Sequence, residues 1–350
     1  MTLKTLNGSF RFRVRKYVLN GASTNWLQLS QFDLSAHYES RLLRDFALEY
    51  AKYLSYERVE GLLRQRMGND TLSDQHIYHL VCAYADTVKA TQSKEINDCL
   101  SKDYACKASP VDIYCADSEE VIFLSDGVCV NEQKAKRDKI AKKGKERTTT
   151  DIMMLQTDIK DKNAYTTIVA AQDIDALQLV QSELLKAYGE KIRLLPIVCI
   201  SDGARSIKNQ NKILFGEGVI HILDWHHIQS KVNQLMSQIA INKVSKETYI
   251  KLIINYLWTG NTIAAVLVLK FMAFKNQIKR DELINYLEKN ADHIIDYEKR
   301  KAVGKIIGSG RTEKQNDCII SKRQKRKGMS WSPKGSRNLA IVTAYHACAA

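Results

Sequence analysis

With 350 residues, 45% of them hydrophobic and only three prolines, the chain has the length and apolar content of a soluble globular protein of two or three domains. Its formal charge of +14 points to a polyanionic partner. Eight cysteines (82, 99, 106, 115, 129, 199, 318, 348) include no Cys-x-x-Cys pair, the opening MTLKTLNGSFRFRVRKYVL has no continuous apolar core, and the apolar run Ile263 to Phe274 is broken by Lys270. A disulfide scaffold, export and membrane insertion are therefore not expected.

Residues 1–35 read as a short basic segment of strand-like or irregular pieces, with Arg11, Arg13, Arg15 and Lys16 in alternation. Residues 36–117 read as helical. Apolar positions recur at helical spacing from Tyr38 to Leu54, a second helix follows Ser55, and after a polar turn with Gly68, Ser73 caps a third through Ile77, Leu80, Val81 and Tyr84. That order is compatible with an all-α packing domain and with a helix-turn-helix whose recognition helix begins near Asp74.

From residue 118 the pattern changes. EVIFLSDGVCV (120–130), TTTDIMMLQTDI (148–159), YTTIVAAQDI (165–174), LLPIVCISDGA (194–204) and GVIHILDWHH (218–227) are β-branched apolar runs of strand length, with helices expected over Ile174 to Tyr188 and Ala204 to Leu214. Three strands in a meander followed by crossover units predict an α/β core over 118–228 with a mixed sheet. An all-α segment is expected over 229–305, and 306–350 returns as a final helix with a basic tail.

The positive charge is concentrated. Lys134 to Arg147 holds eight basic and two acidic residues, and Arg311 to Lys327 holds seven and two. Lys134, Lys136, Arg137, Lys142, Lys143, Lys145, Arg147, Arg311, Lys322, Arg323, Lys325, Arg326 and Lys327 are the candidate phosphate contacts.

Among the acids, context selects a few. Asp126 and Asp202 each stand in Ser-Asp-Gly at the end of an apolar run, and Asp224 ends another. Asp-Gly is also a common turn. If the first and fourth strands are parallel neighbours, however, Asp126 and Asp202 meet at one sheet edge, where adjacent carboxylates repel unless a cation lies between them. Glu313 lies just after IIGSG; with Gly310 as N-cap it would stand at the third helical position, a favourable place for a carboxylate near the helix dipole. His221, His226 and His227 flank Asp224 without a Cys pair, so a zinc site, an orienting histidine and a satisfied core histidine are all open readings. There is no Gly-x-x-x-x-Gly-Lys loop, so no nucleotide cofactor is expected.

The ordered set SDGVCV, SDGARSI, ILDWHHI and IGSGRTEKQND…KRKGMSWSPKGSRNLA resembles the DDE transposases of bacterial insertion sequences related to the Mutator superfamily, nearest the ISKra and ISLre groups. LSYERVEGLLRQRMGNDTLSDQHIY resembles the helix-turn-helix of that family. The resemblance implies an RNase H-like core of sheet order 3-2-1-4-5, with an all-α insertion before a Glu-bearing helix. It makes Asp126, Asp202 and Glu313 the catalytic, metal-binding acids for two Mg²⁺ or Mn²⁺ ions. Asp224 and His227 match the family's Asp-x-x-His signature, and Trp258 matches the tryptophan of its insertion. RFRVRKYVLNGASTNWL lacks the Cys or His pairs common in the family's N-terminal segment.

The expected activity is metal-dependent cleavage at element ends and strand transfer into target DNA, by a cytoplasmic, nucleoid-associated prokaryotic protein working as a dimer or larger. Two alternatives stand beside it: a metal-dependent nuclease of the same fold without strand transfer, and a non-catalytic helix-turn-helix DNA-binding protein.

Overall fold

The computed structural model describes residues 2–11, 13, 16–19, 22–25, 39–68, 72–101, 106–133, 146–170 and 173–348. The chain divides into two compact units. One comprises residues 1–91, 129–149 and 318–350, the other 92–128 and 150–317.

The first unit opens with two antiparallel hairpins, β1 (Thr2–Thr5) with β2 (Gly8–Arg11), and β3 (Lys16–Leu19) with β4 (Ala22–Asn25). Serines then set the helix starts. Ser40 accepts from the Leu43 N–H to begin α1 (Arg41–Ala51), and Ser55 accepts from the Arg58 N–H to begin α2 (Tyr56–Met67). Gly68, at φ 78°, ends α2 in a conformation that favours glycine. Ser73 Oγ accepts from the His76 N–H at the head of α3 (Asp74–Leu100). This helix has 27 residues and runs well past the expected Tyr84, because no Gly or Pro interrupts it. Leu43, Ala47, Val59, Leu63, Leu72, Ile77 and Val81 form one core with Leu339 and Val342. The C-terminal segment, expected with the α/β core, therefore belongs from residue 318 onward to the unit of the first helices.

The five-stranded sheet is made of β5 (Val121–Asn131), β6 (Arg147–Gln156), β7 (Tyr165–Ile168), β8 (Ile197–Ser201) and β9 (Ile220–Leu223), in the order β7-β6-β5-β8-β9. β5 and β8 are parallel, as are β8 and β9, whereas β6 and β7 are antiparallel. The sheet is therefore mixed, within an α/β fold.

Alternation along β5 and β8 explains why these strands read as continuous apolar runs. Ile122, Leu124, Val198 and Ile200 enter one core; Val121, Phe123, Ile197 and Cys199 enter another. Helices α4 (Ala176–Tyr188) and α5 (Arg205–Phe215) supply Leu179, Val180, Leu184, Leu214 and Phe215 to the second core. The first is filled by α6 (Trp225–Ile239), α7 (Lys243–Trp258), α8 (Thr262–Phe271) and α9 (Gln277–Lys289), with Tyr297 of α10 (Tyr297–Ala302).

The expected final helix is interrupted. α11 (Gly310–Asn316) passes into a π-helical turn over Asp317–Ser321 and then α12 (Lys322–Gln324), and α13 (Pro333–Cys348) follows. Among the described residues, no helix is long and apolar enough to cross a membrane.

Candidate active site

Register places the first two acids. Ser125 lies opposite Ser201 in the parallel β5–β8 pair, so Asp126, still within β5, and Asp202, the first residue beyond β8, follow side by side. Their two Ser-Asp-Gly motifs are nevertheless used differently. β5 continues to Asn131, so Asp126 sits within a strand and its Asp-Gly pair is not a turn. β8 ends at Ser201, and Gly203, at φ +81°, turns the chain toward α5. Asp202 stabilises that turn by accepting from the Ala204 N–H at 2.8 Å.

Asp224 is not at the solvent edge with them. Its side chain is fully buried and caps α6, accepting from the His226 N–H at 2.6 Å and the His227 N–H at 3.2 Å. The same carboxylate receives the backbone N–H and hydroxyl of Ser309. Its acceptor capacity is thus taken up inside the fold, where it joins the start of α6 to the loop before α11. Gly308 makes that approach feasible, since a β-carbon there would stand 3.0 Å from His226 Cδ2.

Two sequence expectations change as a result. His226 and His227 lie in the first turn of α6 and not in a strand. The N-cap of α11 is Ser309, not Gly310, and its hydroxyl serves Asp224 in place of capping the helix.

Glu313, in the first turn of α11, is half exposed and approaches His227, with Oε1 3.8 Å from Nε2. The partly buried Asp126 carboxyl has its pKa raised, first by burial, and also by the negative charges of Asp202 and Glu313; the Gly127 N–H and His227 act in the opposite direction. Asp126 therefore feels the charge of both other acids, although Glu313 comes from a helix more than a hundred residues further along the chain. Asn316, one turn beyond Glu313, donates from Nδ2 to Asp126 Oδ2 at 2.6 Å. Sequence reasoning missed it; its only signal is the i, i+3 spacing from Glu313.

No protein-family model matches the chain, and no curated protein matches it. The chemistry of the site follows from its own residues.

In donor type, three carboxylates suit a hard divalent cation, and their mutual repulsion is what such a cation would relieve. They are not drawn into a closed cage: among the described residues, no group of three or more His, Cys, Asp or Glu is placed to hold a metal ion as the side chains stand. Glu313 is the exposed member of the three.

The other selected residues are dispersed. Lys134, Lys136, Arg137, Lys142, Lys143 and Lys145 lie outside the described residues. Arg147, Lys322, Lys325, Arg326 and Lys327 are exposed on the first unit. Arg323 is only 2% exposed: its guanidinium stacks on Trp331 (4.8 Å) and Tyr56 (5.5 Å), and Nε donates to the Ala51 carbonyl. That spends it on packing, contrary to the expected role at a phosphate. Arg311 stacks on Tyr165 at 5.0 Å and donates to Asn163. Trp258 joins an aromatic cluster with Trp225 and Tyr297, so its ring is engaged in the insertion's own core.

Proposed function

We propose that the chain is a DDE-type DNA transposase whose catalytic centre is Asp126, Asp202 and Glu313. The observation that carries this reading is geometric: the parallel β5–β8 register sets Asp126 and Asp202 side by side, and Asn316, one turn beyond Glu313 on α11, is hydrogen-bonded to Asp126. Numbering only the strands of the large sheet in chain order, their arrangement is 3-2-1-4-5, which supports the RNase H-like reading. The helices over residues 41–100 supply a candidate helix-turn-helix for element ends, and exposed Lys325, Arg326 and Lys327 supply phosphate-binding groups that do not read sequence.

Asp126 and Asp202 would hold Mg²⁺ or Mn²⁺, two ions in all, with Glu313 as the third carboxylate of the set. When bound, such ions supply activation of a water or 3′-hydroxyl and stabilisation of the leaving oxygen at a phosphodiester. His227 faces Glu313 and, when protonated, steadies its charge. Asp224 acts at a distance, by fixing the starts of both helices that carry His227 and Glu313. Synapsis of two element ends calls for a dimer or larger assembly.

The test uses the full chain and labelled duplexes taken from the DNA flanking its coding sequence. The expected result is Mg²⁺-dependent cleavage and, with pre-nicked ends, a joined product. Asp202→Asn should keep end binding and abolish both. Unimpaired cleavage by this variant would overturn the assignment. Cleavage without joining would identify a nuclease, and binding indifferent to Mg²⁺ and the acids a non-catalytic DNA-binding protein.

A further inference from the structure

The geometry points to Asn316 as a positioning residue that fixes the Asp126 carboxylate for cation binding, an assignment that rests on reading Asp126, Asp202 and Glu313 as the ligand set. Asp126 is gripped at both oxygens. Gly127 N–H donates to Oδ1 at 2.8 Å and Asn316 Nδ2 donates to Oδ2 at 2.6 Å. Each oxygen accepts one hydrogen bond and keeps a second lone pair for a cation.

The amide orientation follows from charge, because turning Asn316 over would set its carbonyl oxygen against a carboxylate. The orientation has a cost. Asn316 is 7% exposed, and its Oδ1 is buried without a hydrogen-bond partner. Thr312, one turn earlier and fully buried, likewise has an unpartnered Oγ1. A position that served packing alone would be better filled by leucine, which has similar volume and no polar atom to leave unsatisfied. The polar residue is accounted for by its hold on Asp126. Because Asn316 and Glu313 share one turn of α11, that hydrogen bond also ties the helix bearing the third acid to the strand bearing the first.

The experiment measures Mn²⁺ binding to the full chain by electron paramagnetic resonance, beside cleavage as a function of Mg²⁺ concentration. Asn316→Leu, and Asn316→Ala as a second variant should leucine disturb folding, should melt as folded proteins but bind Mn²⁺ about 10- to 100-fold more weakly, the usual effect of removing a residue that orients a metal ligand. The Mg²⁺ needed for half-maximal cleavage should rise by the same factor, and saturating metal should restore the rate. Wild-type Mn²⁺ affinity in both folded variants overturns the role of Asn316 and leaves the three acids in place. So does a loss of cleavage that tracks unfolding and ignores metal concentration. Absence of Mn²⁺ binding by the wild type, or binding unchanged by Asp202→Asn, overturns the ligand set and this inference with it.

Discussion

Ser309 donates both its backbone N–H and its hydroxyl to one oxygen of the buried Asp224 carboxylate, whose other oxygen accepts the His226 and His227 N–H groups in the first turn of α6. One side chain thus joins the helix bearing His227 to the helix bearing Glu313. Asp224→Ala would leave these donors without their acceptor, those of Ser309 inside the fold. We predict a loss of about 3–5 kcal/mol in urea-unfolding free energy, from a lost N-cap together with charge-assisted hydrogen bonds. Asp202→Asn, whose carboxylate makes one turn hydrogen bond, should unfold within about 1 kcal/mol of the wild type. Equal destabilisation by the two variants would contradict this division between a positioning acid and a site acid.

His221 carries a pH dependence that has nothing to do with the acids at the sheet edge. Both of its ring nitrogens are buried without partners, and its pKa is pushed down to about 4, first by burial and then by His293, Lys208 and Lys212, against a smaller opposing effect of Glu217. The native state resists a proton that the unfolded chain accepts from its ordinary value of 6.5 downward. This contribution to stability is complete above 6.5 and is lost as pH falls toward 4. His293 is shifted in the same direction and adds to it. Thermal unfolding across that window should show a decline on the order of 2–3 kcal/mol from His221. His221→Leu should flatten most of it. An unaltered slope would place the titration elsewhere.

The basic segment near the C-terminus should separate into two kinds of residue. Arg323→Ala removes a buried guanidinium from between Tyr56 and Trp331 and leaves the Ala51 carbonyl without its donor, so a stability loss of about 2–4 kcal/mol is expected. Replacing exposed Lys325, Arg326 and Lys327 together with alanine should leave melting unchanged and, on the proposed function, flatten the salt dependence of DNA binding, by about 0.9 in slope for each phosphate that the variant no longer neutralises. An unchanged slope would put that run away from the DNA.

These contrasts show where sequence carries structural information. Strands β5 and β8 were readable because both faces are buried, which produces an unbroken apolar run that a strand with one solvated face would not have. The pairing of Asp126 with Asp202 followed from reading those strands as parallel neighbours. Side-chain allegiance was harder to read. Arg323 and Lys325 look alike in a basic run, and only tertiary packing separates one that stacks between two rings from one in solvent. Asn316 was silent because a polar residue on a helix is ordinarily an exposed one. The ILDWHH segment misled because its strand stops at Leu223, where Asp224 begins a helix by capping it.

Gly203 offers the last test, and it distinguishes the two Ser-Asp-Gly motifs. At φ +81° it occupies left-handed backbone, and a β-carbon there would stand 2.5 Å from Leu223 Cδ1 and 2.9 Å from Asn290 Oδ1. Gly203→Ala therefore meets both strain and overlap. Leu223 is buried in the core beside the sheet, and Asn290 is held by Lys208, so neither neighbour yields easily. A loss of about 2–4 kcal/mol is expected from the combination. Because Asp202 immediately precedes the turn and is oriented by the Ala204 N–H, the folded fraction of this variant should, on the proposed function, also be impaired in metal-dependent cleavage. Urea unfolding together with cleavage per folded molecule checks both parts. A Gly203→Ala protein with wild-type stability would show that the turn relaxes around the added methyl group, and one with wild-type cleavage per folded molecule would show that Asp202 does not depend on this turn for its placement.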